Sequence, residues 1–204
     1  MSLQNRVLPT GEIVADPARG TLMGNRGILH DADRRLGTPR WRHKAWICCV
    51  LSFKERKRRP MSPGRYTELF FLDEAVALAA GHRPCAECRR AGFEAFRTAW
   101  RGATGQAARA ADIDAALHPA RVTRRRAQVR HEAEAAALPD GAFVLMPDGP
   151  CLVAGDCLLP HAPNGYGPAR ARPTGRVTVL TPAPVVAALA AGYRPELHPS
   201  AAAR

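Results

Sequence analysis

An α+β fold is predicted by three features of the sequence. Short apolar runs broken by turn residues open the chain, two helical segments flank a Cys-x-x-Cys pair in the middle, and short strands return in the last third. The 204 residues suffice for one domain with a real core, or for two small lobes sharing one. Hydrophobic residues make up 46% and charged residues 24%, while 18 Pro and 17 Gly predict many short elements joined by turns.

Residues 5–30 read as β structure, with runs such as Glu12–Ala15 and Gly27–His30 broken at Thr10-Gly11, Asp16-Pro17 and Gly24-Asn25. Residues 45–53, AWICCVLSF, read as a strong apolar strand. The following segment, KERKRRPMSPGR over residues 54–65, carries two Pro and one Gly and reads as an exposed loop. Asp73 is placed to cap a first helix, Glu74 suits its first turn, and Gly81 with Pro84 stops it. A second helix over roughly 86–101 carries Phe93, Phe96 and Trp100 on one face, the spacing of a core stripe. After a flexible connection over 103–111, helical segments are expected at Asp112–Leu117 and Arg121–Ala137, interrupted at Pro119. Ala142–Met146, Pro150–Val153 and Arg176–Leu180 read as strands, and Thr181 is expected to cap a last helix ending at Gly192.

The expected organisation is a β region plus knuckle module over 1–102, a helical connection over 103–138 and a small α/β C-terminal lobe, rich in strands, over 139–204. One octapeptide, ALAAGHRP at 77–84, recurs as ALAAGYRP at 188–195. Helix, Gly and then Pro is a general way to end a helix, so the echo reads as repeated stop chemistry rather than a duplicated module.

The net charge of +12 is unevenly spread. Residues 34–65 hold eleven Arg or Lys against one acid, Glu55, and a second cluster comprises Arg121, Arg124, Arg125, Arg126 and Arg130. Such blocks attract phosphate-rich partners, so nucleic acid, or another polyanion, is the expected partner. Lys54, Arg56, Lys57, Arg58, Arg59, Arg65, Arg89 and Arg90 are the expected phosphate contacts. Ala- and Arg-heavy usage also fits a GC-rich genome, and a solvated basic face needs no partner. No window approaches 18 apolar residues and none opens the chain, so neither a membrane span nor a secretory signal is expected and the cytoplasm is the expected compartment. Six cysteines there stay reduced and open to metal.

Cys85-Ala86-Glu87-Cys88 is the most informative stretch. A turn of this spacing brings two thiolates to tetrahedral distance on one ion, with backbone amides left to bond the sulfurs, and Zn2+ is the expected cofactor. A redox pair, or two buried cysteines, are the other readings of the spacing. Two upstream ligands would decide for zinc, and His43, Cys48 and Cys49 are the candidates. Neighbouring strand positions face opposite sides, so Cys48 and Cys49 can both ligate only on a bent strand; one of them with His43 is easier to build. His82 is an outside candidate, read more simply as a packing group.

The stretch ELFFLDEAVALAAGHRPCAECRR, residues 68–90, resembles the second half of the zinc-binding domain of Ada-type methyl-phosphotriester DNA-repair proteins, and small zinc modules appended to nucleases. The shared pattern is FF, an EA-x-x-x-AG helix, RPC-x-x-C and a basic tail, over about a tenth of the chain. The resemblance implies a closed four-ligand zinc site with Cys85 and Cys88 as the second pair, an earlier pair from a strand end, and basic groups near the metal that meet DNA phosphates. The first half departs from the family. There, two cysteines are separated by three residues and the first accepts a methyl group, whereas here Cys48 and Cys49 are adjacent.

A closed site favours structure over hydrolysis, and catalytic residues are not assigned. The alternatives to a zinc-stabilised nucleic-acid-binding protein are a DNA-acting enzyme, by thiolate methyl transfer or nuclease chemistry, and a zinc-stapled interaction module. His118 and His131, near Asp112, Asp114, Glu132 and Glu134, read as polar helix faces. Cys151 and Cys157 read as core, His161 and His198 as structural hydrogen-bonding groups, and Tyr166 and Tyr193 as packing over glycine turns. GTLMGNRG has the wrong spacing for a phosphate loop or a dinucleotide fingerprint.

Overall fold

The alternation at the amino end becomes strands β1 (Gln4–Val7), β2 (Ile13–Ala15), β3 (Leu22–Asn25) and β4 (Ile47–Val50). They are seen in a computed structural model that describes residues 2–55, 59–105 and 108–202. β5 (Leu69–Phe71) and the two-residue β6 (Arg83–Pro84) complete a sheet ordered β2-β1-β5-β3-β4-β6. β1–β5 and β4–β6 are parallel pairs. The second of these positions the Cys-x-x-Cys turn, because Cys48 lies opposite Pro84 and the Cys85 amide donates to the Cys48 carbonyl at 2.9 Å.

Helix α1 (Glu74–Ala79) starts as the sequence predicts, with Asp73 Oδ1 accepting from the Val76 amide at 3.0 Å. All six of its residues are buried, the acidic Glu74 included. Helix α2 (Arg90–Thr104) buries Phe93, Phe96 and Trp100, the stripe its periodicity requires. Helix α3 (Ala110–Arg121) runs through Pro119, where a break was expected. The missing amide falls in the last turn, so little of the helical ladder is lost.

The second sheet is built from β7 (His131–Glu134), β8 (Phe143–Met146), β9 (Gly149–Ala154), β10 (Cys157–Ala162), β11 (Gly165–Tyr166), β12 (Arg170–Ala171) and β13 (Arg176–Val179). Its order is β11-β10-β9-β8-β13-β7, with β12 also on β10, and α4 (Ala183–Ala190) follows. The helix expected over Arg121–Ala137 is replaced by a turn in which the Thr123 amide donates to Ala127 at 2.9 Å, and then by β7. Four residues of β7 pair with β13, and that ladder outweighs the helix propensity of the Ala and Glu residues. Thr181 does not cap α4. Its Oγ1 accepts from the Phe143 amide at 2.8 Å, and Pro182 takes the cap position.

Side chains of the second sheet alternate between two cores. Phe143, Leu152 and Leu159 join Val7, Leu69, Phe71 and the alanines of α1. Val144, Cys151, Val153 and Leu158 face the other way, toward Phe96, Trp100, Leu117 and Leu189 of α2, α3 and α4. Packing therefore runs across the divisions expected near residues 102 and 138.

Both octapeptides end their helices with the same pair of bonds. His82 donates to Ala77 at 2.9 Å and Gly81 to Leu78 at 2.9 Å; Tyr193 donates to Ala188 at 3.1 Å and Gly192 to Leu189 at 3.0 Å. Gly81 and Gly192 have φ of +82° and +102°. Only at Gly81 would a Cβ collide, meeting Arg121 Cδ at 2.5 Å and Cβ at 2.8 Å, whereas Gly192 has nothing within 4 Å. Urea unfolding should show Gly192→Ala losing about 1–2 kcal/mol, the left-handed cost alone, and Gly81→Ala losing clearly more. Equal losses would show that Arg121 is not fixed against the helix stop.

Candidate metal centre

Alternation along β4 separates the two adjacent cysteines. Cys48 is 1% exposed and points into the core with Leu69, Phe71 and the α1 alanines. Cys49 faces the other way and meets the knuckle, so that the Sγ atoms of Cys49, Cys85 and Cys88 all lie within 4.8 Å of one another. Sulfurs sharing a tetrahedral zinc sit about 3.8 Å apart, given Zn–S bonds of about 2.3 Å. Three convergent, near-buried thiols therefore fit a soft divalent cation.

The turn prepares the sulfurs electrostatically. The Glu87 amide donates to Cys85 Sγ at 3.4 Å. A hydrogen bond from Cys49, and after it the amides of Cys88 and Glu87, bring the Cys85 thiol down to about 5 against the opposing effect of burial. The hydrogen bond to Cys85 and burial push Cys49 up, and burial above all raises Cys88. The amide aimed at Cys85 Sγ favours a thiolate there, and a metal binding to the trio displaces the protons of its ligands.

The upstream candidates divide. His43 is exposed, with Nε2 3.2 Å from Asn25 Oδ1, and stands apart from the sulfurs. Cys48 also stands apart, because strand geometry turns it to the opposite face, where an Arg89 N–H reaches its Sγ at 3.8 Å. His82 is fully buried, its ring centroid 4.6 Å from that of Phe71 and 5.4 Å from that of Trp46. Among the described residues no further His, Cys, Asp or Glu joins the trio, so the closed set of four is not assembled from them.

A cavity of about 400 Å³ adjoins the three cysteines and is also lined by Met23, Phe53, Phe70, Glu68 and Glu87. Glu68 is 3% exposed; its Oε2 accepts from the Met61 amide at 2.7 Å, while Oε1 is buried without a partner among the described residues. Sequence reasoning missed Glu68. The available signal was an acid set directly against the apolar run Leu69–Phe71 of a strand.

The expected phosphate contacts divide too. Arg89 is buried and forms a two-pronged pair with Glu74 at 2.6 and 2.9 Å, with Glu196 at 3.2 Å, so it cannot serve a phosphate. Lys54, Arg59, Arg65 and Arg90 are exposed, Lys54 lying 3.7 Å from Glu87 and Arg90 3.0 Å from Glu94. Arg56, Lys57 and Arg58 lie outside the described residues.

Several other polar groups prove structural. Asp114, read as surface, is buried and pairs with Arg83 at 2.9 and 2.7 Å. The Tyr193 and Tyr166 hydroxyls donate to Glu74 and Asp73 at 2.6 and 2.7 Å. His198 Nδ1 accepts from the Ser200 amide at 3.3 Å, whereas His161, expected to hydrogen-bond, lies edge-on 5.9 Å from Phe143 with a buried Nε2 that has no partner among the described residues. Cys151 is core as expected, and Cys157 is half-buried.

Comparison with protein-family models, curated proteins and solved structures finds no match. Among the described residues no helix is long and apolar enough to cross a membrane. Metal analysis with single substitutions tests the centre directly. Cys49→Ser, Cys85→Ser and Cys88→Ser should each lose the bound equivalent of metal, while Cys48→Ser retains it. Loss of metal from Cys48→Ser in folded protein would place the centre on the other face of β4.

Proposed function

We propose that this chain is a metal-stapled nucleic-acid-binding protein, with Zn2+ held by Cys49, Cys85 and Cys88 and DNA ahead of RNA as partner. The convergence of three sulfurs from two separate segments carries the metal half of the reading. Two of those cysteines, Cys85 and Cys88, fall in the stretch that resembles the zinc domain of Ada-type repair proteins. A tetrahedral ion draws a fourth ligand from beyond the trio, and carboxylates line the adjoining cavity. The nucleic-acid half rests on charge. The exposed Lys54, Arg59, Arg65 and Arg90 flank the knuckle in sequence, within a chain of net charge +12.

The test is binding of duplex DNA and of RNA across a salt series. Neutralising Arg56, Lys57, Arg58 and Arg59 together should weaken binding at every sequence and reduce the salt slope by about one for each phosphate no longer neutralised. Arg89→Ala should instead destabilise the fold, by roughly 3–5 kcal/mol for a broken buried pair. Absence of binding at low salt would leave the zinc-stapled interaction module.

One observation favours a second reading, an enzyme acting on nucleic acid. Among the described residues Glu68 presents a buried carboxylate oxygen without a partner in the cavity that the cysteines line, the placement of a general acid or base for a substrate bound there. Under this reading, Glu68→Gln keeps the nucleic-acid affinity but abolishes any cleavage of DNA or RNA by the native protein. Transfer of a methyl group from alkylated DNA would appear instead as a mass increase on Cys49.

A further inference from the structure

A second cavity, of about 310 Å³, is lined by five arginines, Arg26, Arg40, Arg121, Arg126 and Arg130, together with Trp41 and Trp46. Two of the arginines are deeply buried: Arg26 and Arg121 are each 2% exposed. Their guanidinium carbons lie 4.1 and 4.0 Å from the Trp46 ring centroid, which brings two positive charges against one indole.

Neither has a carboxylate within ion-pair distance among the described residues. Arg26 makes only long bonds of 3.4 Å, to the Gly11 and Ala80 carbonyls and to His82 Nε2. Arg121 donates to the Gly81 and Lys44 carbonyls at 2.8 and 2.5 Å and lies 3.3 Å from His118 Nδ1, but its buried Nε has no partner. The nearby Asp114 is bound to Arg83 through both oxygens. Glu12 is the cavity's one acid, and its Oε2 accepts from Thr10 at 2.9 Å.

Burial of two cations without counter-charge is costly unless an anion joins them. Burial, and after it the charges of Arg121 and Arg40, pull Arg26 down to about 9; burial likewise takes Arg121 to about 9, against the raising effect of Asp114. The volume exceeds what a bare oxyanion fills. Trp41 is half-buried in the wall, 6.0 Å from Trp46 and 5.6 Å from His118 in an edge arrangement, and its ring borders the cavity.

We propose that this cavity binds a nucleotide, its phosphate held by Arg26 and Arg121 with Arg126 and Arg130 at the rim, and its base stacked on Trp41. Guanidinium forks match phosphate oxygens, and bases stack on aromatic rings without regard to sequence. No residue that lines the cysteine cavity lines this one, and no described residue of the 54–65 segment does. The site stands even where the loop proves to bind nothing. The phosphate has two sources, a free mononucleotide or the end of a nucleic-acid strand.

Tryptophan fluorescence and thermal melts at low salt test this with inorganic phosphate, AMP, a 5′-phosphorylated single-stranded decamer and its 5′-hydroxyl counterpart. AMP or the phosphorylated decamer should quench the fluorescence saturably and raise the melting temperature, with the 5′-hydroxyl strand about tenfold weaker, the value of a charge-assisted contact. Tighter binding of the phosphorylated strand than of AMP assigns a strand end; equal or tighter AMP assigns a free nucleotide. Because Arg26→Gln could cost the fold, the rim variants Arg126→Gln and Arg130→Gln carry the test, each weakening binding about tenfold. Trp41→Leu should remove the preference for AMP over inorganic phosphate. No quenching or stabilisation by any probe, or affinities unchanged in folded Arg126→Gln and Arg130→Gln proteins, would overturn the proposal. Neutralising residues 56–59 should leave AMP binding intact, which separates this site from the loop reading.

Discussion

A single buried carboxylate organises this molecule. Glu74 sits on a helix with no exposed face, in the core between the two sheets, where an unpaired charge is untenable. It is satisfied by four donors from three places: two N–H groups of Arg89, the Tyr193 hydroxyl and the Glu196 amide. The start of α2, the stop of α4 and the C-terminal tail are thereby held to α1. Arg89 directly follows Cys88, so the same bond fixes where the knuckle can lie.

The candidate metal centre and this ion pair stand back to back across one strand. Cys48 and Cys49 are chain neighbours, yet pleating sends the first toward Arg89 and the core and the second toward Cys85 and Cys88. The pairing of β4 with β6 brings the Cys85 amide onto the Cys48 carbonyl, which sets the distance between strand and turn before any ion is considered. The sulfur trio is thus a product of sheet register.

Charge is divided in the same manner. Arg26, Arg83, Arg89 and Arg121 are buried and serve indoles, carbonyls and carboxylates inside the fold. The net charge therefore overstates how much positive charge the surface presents. Arginine suits the buried role because its guanidinium is flat, weakly hydrated and rich in directed donors.

The sequence by itself determined the local chemistry: the Asp73 cap, the aromatic stripe of α2, the two identical helix stops and the sulfur turn at Cys85–Cys88. Each depends on residues within one or two turns of one another, where propensity and hydrogen-bond geometry decide. Tertiary structure decided what depends on partners far along the chain. Pairing with β13 made a strand of residues 131–134, strand pleating chose Cys49 over Cys48, and a carboxylate fifteen residues back drew Arg89 inward. Glu68 and the arginine-lined cavity belong to this second group, since burial without a partner is a property of surroundings that no short window of sequence contains.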